Sequence, residues 1–235
     1  MKKDIFNYIQ KPNEDFYRKD SCIDKIYELE EYSLDSINDY VGPNKTINTK
    51  KLLVNNGVIN YKNLIAMTKI NYMEAMLYKE LAQQENDDFD KESYDFLARM
   101  LLEDVIIKLF SAYDRTYIIL NDLYDFKISV EDDSESFKRF VRERIKEEDR
   151  KKFKRINSIF YRLNGSKAKE YRDDITHNRS ISLNSITTNY KTQRRNICFK
   201  TAMPIDKLEQ EIEIVCDLLE EYKNLLNEII IEKNK

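Results

Sequence analysis

The sequence predicts an all-α fold, a bundle of long amphipathic helices, and three observations carry that expectation. Across 235 residues there are only three Gly and three Pro, where average usage would supply roughly 16 and roughly 12. Sandwiches, dinucleotide-binding units and P-loop proteins all need Gly at sharp turns or phosphate cradles, so this composition argues against them. Charged residues make up 35% of the chain and hydrophobic ones 41%, which suits helices with one dry face and one wet face. Apolar residues also recur at spacings of three and four along most of the length.

Taken in order, the first expected helix runs over about residues 13–41, with Ile23, Ile26, Tyr27, Leu34, Ile37 and Val41 on one face. Gly42-Pro43-Asn44 ends it, and the polar stretch to about residue 62, with Asn55-Asn56-Gly57, reads as a loop. A second helix is expected at 64–84 on Ile70, Met73, Leu77 and Leu81, stopped by Asp87-Asp88. The third is the most strongly patterned. Tyr94, Leu97, Ala98, Leu101, Leu102, Val105, Ile106, Leu109, Phe110 and Tyr113 form a wide stripe, and Ile118, Ile119 and Leu123 add a second apolar side, which marks a central or interfacial helix. A fourth segment, 136–163, is interrupted by the wholly charged run 146–152, where the helix either projects into water or breaks. Asn164-Gly165 then forms a C-cap and Ser166 the N-cap of a short helix carrying Ala168, Tyr171 and Ile175. Alternating residues suggest a small β-hairpin or extended excursion at about 180–200. Pro204 opens the last helix, in which Leu208, Ile212, Val215, Leu219, Tyr222, Leu226 and Ile229 repeat as 4,3,4,3,4,3, the pattern of a bundle helix or of a two-chain interface. Residues 1–90 are expected to be a helical extension packed on a bundle formed by 91–235, the two making one unit.

Bulk properties narrow the function. A net charge of −3 gives no global polyanion-binding signature. No apolar run approaches the length of a membrane span, and the N-terminal Lys2-Lys3 is followed by no apolar segment of a signal peptide. Cys22, Cys198 and Cys216 are odd in number and widely spaced, as expected of reduced thiols in a cytoplasmic protein. Glu170, Asp173, Asp174 and His177 share one helical face at i, i+3, i+4 and i+7, a stripe that suits either a hard cation or plain solvation. Solvation is the expectation, so no metal and no cofactor are assigned. No G-x-S-x-G elbow is present for a serine hydrolase. There is one His in the chain, so chemistry that needs two imidazoles requires two copies.

The stretch Arg172-Asp173-Asp174-Ile175-Thr176-His177 resembles the R-x4–6-H motif of the HEPN superfamily. It lies behind one bundle helix and ahead of the last, and the resemblance covers the chain from about Ser93 onward. The resemblance implies an all-α, metal-independent endoribonuclease acting on single-stranded RNA, of the kind found in toxin–antitoxin and phage-defence systems. It also implies a composite site at a homodimer interface, with RNA as a partner and an antitoxin or other protein as a further one. His177 would then be the general acid/base, Arg172 the phosphate contact, and Asp173 the polar residue that follows the Arg, where many members carry Asn. An acid there can orient His177 or pair with Arg172, and it also repels phosphate.

The chemistry of the residue types is consistent with those roles. An imidazole exchanges protons near neutral pH, and a guanidinium offers phosphate oxygens a planar, permanently charged fork. Five residues of helix separate Arg172 and His177 by about 140° around the axis, which one copy closes poorly and two facing copies close well. Thr176 and Asn178 either position substrate or end the helix. Lys167, Lys169 and Arg179 add basic character around the motif and are candidate substrate contacts. Residues 138–155 hold ten Lys or Arg against four Asp or Glu, a net +6 that leaves the rest of the −3 chain at −9. That run reads either as a phosphate-tracking surface or as a solvated helix face.

Other readings stay open. Arg172 can be a structural ion-pair partner of Asp174, Glu170 or a neighbouring helix, and His177 an ordinary helix-end residue. On that basis the alternative function is a non-catalytic helical module that binds nucleotide, nucleic acid or a partner protein. A third reading is a purely structural partner that pairs through the final heptad helix.

Overall fold

Asp87 turns the chain between its two longest helices. In the computed structural model, which describes residues 22, 24–26, 29, 49–129, 134–178, 187–189, 194–196 and 203–233, helix α1 (Thr49–Gln84) and helix α2 (Asp88–Tyr124) flank it. The Asp87 carboxylate accepts hydrogen bonds from the backbone N–H groups of Phe89 and Asp90 at 3.0 and 3.1 Å, satisfying donors that a helix start leaves orphaned. At 37 residues α2 is about 55 Å long. α1 runs antiparallel along it, with the Asn71 amide donating to Asp104.

The loop expected through Asn55-Asn56-Gly57 is instead helix, because its polar surface is only one face. Val54, Val58, Tyr61, Ile65, Thr68, Tyr72 and Ala75 form a buried line in a 4,3 rhythm down α1, and the Thr68 hydroxyl donates to the Leu64 carbonyl at 2.8 Å. Gly57 is an approach point rather than a breaker. A Cβ built there would meet Ile119 Cγ1 at 2.8 Å, so α1 and α2 close to a distance that only Gly permits. Gly57→Leu is therefore expected to cost about 1–3 kcal/mol through overpacking, seen as a lower chemical-denaturation midpoint with the m-value unchanged. The expected stripe on this helix is also corrected. Ile70 is 54% exposed whereas Tyr72 is 1% exposed, so the buried face is rotated away from Ile70.

Beyond α2 come α3 (Ser134–Glu148), α4 (Arg150–Asn164), α5 (Lys167–Asn178), a hairpin of β1 (Thr187–Asn189) and β2 (Arg194–Asn196), and α6 (Ile205–Lys233). The charged run breaks at Asp149, whose carboxylate caps α4 by accepting from the Lys151 and Lys152 N–H groups at 3.0 Å each. Those bonds hold its carboxyl below the usual range. In the hairpin, Thr188 faces Arg195 in an antiparallel register. α6 packs parallel to α2 and antiparallel to α4. Tyr222 of α6 stacks edge-on against Tyr113 of α2 with ring centroids 5.6 Å apart, and the Tyr113 and Tyr117 hydroxyls are hydrogen-bonded at 2.8 Å. α2 is buried on several sides, which makes it the central element.

The heptad positions of α6 are spent inside this core. Leu208, Ile212, Val215, Leu219, Tyr222, Leu226 and Ile229 are each at most 3% exposed, so the last helix is a bundle helix and not a two-chain seam. Helical residues Cys22, Ile26 and Leu29 join the same core, and Cys22 and Cys216 are buried thiols in contact with each other. The remainder of the first expected helix, and Cys198, lie outside the described residues. Among the described residues no helix is long and apolar enough to cross a membrane.

Candidate nucleic-acid site on the motif helix

Ser166 starts α5 as expected, its Oγ accepting from the Lys169 N–H at 3.2 Å. A second acceptor comes from α6, where Glu211 takes the Ala168 N–H at 3.0 Å. With four N–H groups orphaned at a helix start and a positive dipole end, a carboxylate at this point fixes the helix in position. Ala168 and Tyr171 are buried and Ile175 packs partly against the core, so the apolar face is the one the spacing predicts.

Tyr171 reaches further than its apolar ring. Its hydroxyl donates to Glu103 Oε1 of α2 at 2.8 Å. Glu103 is 4% exposed, and burial pushes its pKa up, an effect the Tyr171 hydrogen bond and the Arg99 charge only partly offset. Arg99 in turn donates to the Met203 carbonyl just ahead of α6. Three segments are thereby tied around α5. This contact was missed in the sequence because Glu103 sits beside Asp104 and the pair reads as one solvated step in the apolar stripe. The readable signal was that Glu103 falls three and seven residues before Ile106 and Phe110, on a buried face.

A carboxyl whose pKa is raised on folding keeps its proton longer in the native state. Stability therefore falls as pH rises from the unfolded value of about 4.5 through the raised one. Glu103→Gln keeps an acceptor for Tyr171 and removes the buried charge. Thermal melts are expected to show the variant at least as stable as wild type at pH 8, with the acid-side rise in wild-type stability lost.

On the outer side of α5, Arg172 Nη1 donates to Asp173 Oδ1 at 3.0 Å, and Lys169 Nζ grips both oxygens of Asp173 at 2.7 and 2.5 Å. Partial burial pushes the Asp173 pKa up, but the Lys169 and Arg172 charges outweigh it and hold the carboxyl below its usual range. Arg172 Nε is buried, with no hydrogen-bond partner among the described residues. Thr176 is exposed, and its hydroxyl donates to the Arg172 carbonyl at 3.0 Å, a helix-internal bond. Lys167 is exposed at the start of α5. His177 and Asn178 are the last two residues of α5, with side chains outside the described part of the structure, and Arg179 lies outside the described residues. Among those described, no group of three or more His, Cys, Asp or Glu is placed to hold a metal ion.

Part of the basic run 138–155 is committed to the fold, while Arg139, Lys146, Arg150, Lys151 and Lys154 are exposed. Lys138 pairs with Asp114 at 3.0 Å, and Lys152 and Arg155 pair with Glu232 and Glu228 of α6. Arg142 lies 3.3 Å from the Phe160 ring centroid. The start of α4 also meets the far end of α6, one bundle length from the Met203 end where α5 sits. Among the described residues, Lys167 and Lys169 share α5 with Arg172, and Arg99 of α2 reaches Tyr171 on its inner side.

On α2, one to two turns from Glu103, Phe96, Leu97 and Met100 are 39, 37 and 46% exposed, an apolar group beside the motif helix. Compared with known families, residues 20–233 match the model described as Cthe2314-like HEPN, a span that includes α1 as well as the motif helix. No curated protein and no solved structure matches the chain.

Proposed function

The chain belongs to the Cthe2314-like HEPN family, and from that premise we propose that it is a metal-independent endoribonuclease that cuts single-stranded RNA at a site shared by two copies. The observation that carries this reading is the placement of Arg172. Its helix is pinned at both the Ser166–Glu211 end and the Tyr171–Glu103 contact, and its guanidinium is held at Nη1 by Asp173 while the side chain stays partly exposed. A held guanidinium with an exposed end suits a phosphate whose charge grows in the transition state.

In this scheme His177 of one copy takes the proton of the ribose 2′-OH. The 2′ oxygen attacks phosphorus, and Arg172 contacts the non-bridging oxygens of the pentacoordinate state. The bond to the 5′ oxygen breaks, and that oxygen takes a proton from the His177 of the second copy. The products are a 2′,3′-cyclic phosphate and a 5′-hydroxyl. Exposed Phe96, Leu97 and Met100 supply apolar surface for the dimer that this requires. Residues 1–90 would serve as the extension braced against α2, and the setting would be cytoplasmic, in toxin–antitoxin or phage-defence function, with an antitoxin as a further protein partner.

The test is incubation of the purified protein with mixed single- and double-stranded RNA in excess EDTA. Cleavage of single strands that survives the chelator and leaves cyclic-phosphate ends is the expected result. Binding without cleavage would replace the nuclease by the non-catalytic binding module, and chelator-sensitive cleavage would remove the metal-free mechanism.

A further inference from the structure

Arg172 already has an anion. Asp173 accepts from its Nη1 at 3.0 Å, while both oxygens of the same carboxylate are held by Lys169 at 2.7 and 2.5 Å. Lys169 and Asp173 are four residues apart on one helix and so face each other, which gives the order cation, anion, cation along the outer side of α5. The two contacts on Asp173 are unequal. Lys169 takes both of its oxygens, and Arg172 shares one of them through Nη1.

We propose that Asp173 is an internal competitor for the anion site of Arg172, and that Lys169 retains the carboxylate when a phosphate displaces it. The proposal rests on the reading of Arg172 as the phosphate contact and names what regulates access to it. A phosphate that reaches the partly exposed end of the guanidinium meets the Nη1 donor that Asp173 already holds, and it can engage the two Nη groups through two oxygens where Asp173 uses one. One anion replaces another, so the charge beside the guanidinium hardly changes. The displaced carboxylate keeps its Lys169 partner, so the exchange leaves no unpaired charge behind. The half-buried position of Asp173 limits solvent screening of its hold on Arg172. Its depressed pKa keeps it ionised near neutral pH, so only a ligand opens the pair there.

The experiment uses the full chain labelled with 15N-arginine and inorganic phosphate as the probe at pH 7 and constant ionic strength. Binding is read from the Arg172 Nε–H resonance, which is assigned by its absence in Arg172→Lys. Asp173→Asn and Asp173→Ala are each expected to tighten phosphate binding by about five- to twenty-fold. Asp174→Asn, which changes the net charge equally, is expected to give less than twofold. Equal affinity in wild type and both Asp173 variants, or an equal gain in Asp174→Asn, overturns the proposal. RNA cleavage is measured in parallel. Tighter phosphate binding in a protein that cuts no RNA sinks the nuclease reading alone, and RNA cleavage with unchanged phosphate affinity sinks the competitor alone.

Discussion

His177→Ala is expected to lower the rate of RNA cleavage by about 10²–10⁴-fold while leaving RNA affinity within a fewfold of wild type. The proton transferred by His177 matters only as the 2′-OH is attacked and the 5′ oxygen departs, so the loss falls on the chemical step rather than on binding. Arg172→Ala should lower both, because a guanidinium contacts phosphate in the ground state and more strongly in the transition state. Arg172→Lys should not restore the rate, since an ammonium has no planar fork. The single His per chain sharpens the test. If base and acid are the same residue in two copies, the pH–rate profile is bell-shaped, and activity falls with the square of the wild-type fraction when wild type is mixed with His177→Ala and allowed to exchange. Single-turnover kinetics at several mixing ratios would show this. A linear fall would mean that each copy works alone and would remove the shared site.

The fold was legible where burial is carried by aliphatic residues at helical spacing. The last helix shows this, its Leu, Ile and Val positions marking the core face directly. The rhythm could not say whether that face meets its own bundle or another chain, because the same 4,3 repeat serves both; burial decides it. α1 was harder to read because its buried line is built from Tyr61, Thr68, Tyr72 and Ala75, residues that a count of strong hydrophobes passes over, while the conspicuous Ile70 points to solvent. Gly57 signalled a turn locally, yet its meaning lies in Ile119, far away in the sequence. The motif helix was legible in its cap and apolar face. What the sequence concealed was the state of its charges. Lys169 looked like a substrate contact and is engaged with Asp173, and the basic run 138–155, open to reading as a phosphate surface or as a solvated face, gives two of its cations to α6 carboxylates. Pairing over such sequence separations depends on the packing of whole helices, which spacing alone does not encode.

The second large effect is expected at Leu219, and it separates a core helix from a coiled-coil seam. Were α6 a seam between two chains, Leu219→Asp would yield a folded monomer. Leu219 is instead 1% exposed, flanked by Cys216 and Leu218 at 1 and 3%, so the apolar surface around it extends well beyond a narrow seam. The cation nearest along the helix, Lys223 four residues on, is itself buried and already engaged, so a carboxylate at 219 must compete for it. The effective penalty for burying such an ion is several kcal/mol, a large part of the roughly 5–15 kcal/mol that holds a domain together. Leu219→Asp is therefore expected to lose cooperative thermal unfolding and most far-UV helical signal, not merely its dimer. Leu219→Ala, which leaves only a cavity, should cost about 2–5 kcal/mol and lower Tm by roughly 5–15 °C. Met100→Asp makes the opposite case. Its side chain is 46% exposed on α2 beside the motif helix, so the charge meets water in the single chain, and Tm at low concentration should move little. If the proposed dimer uses that face, sedimentation will show Met100→Asp as a folded monomer at concentrations where wild type is paired, with RNA cleavage lost because each site lacks its second His177. A Met100→Asp protein that still pairs and cuts would move the shared site to another face of the bundle.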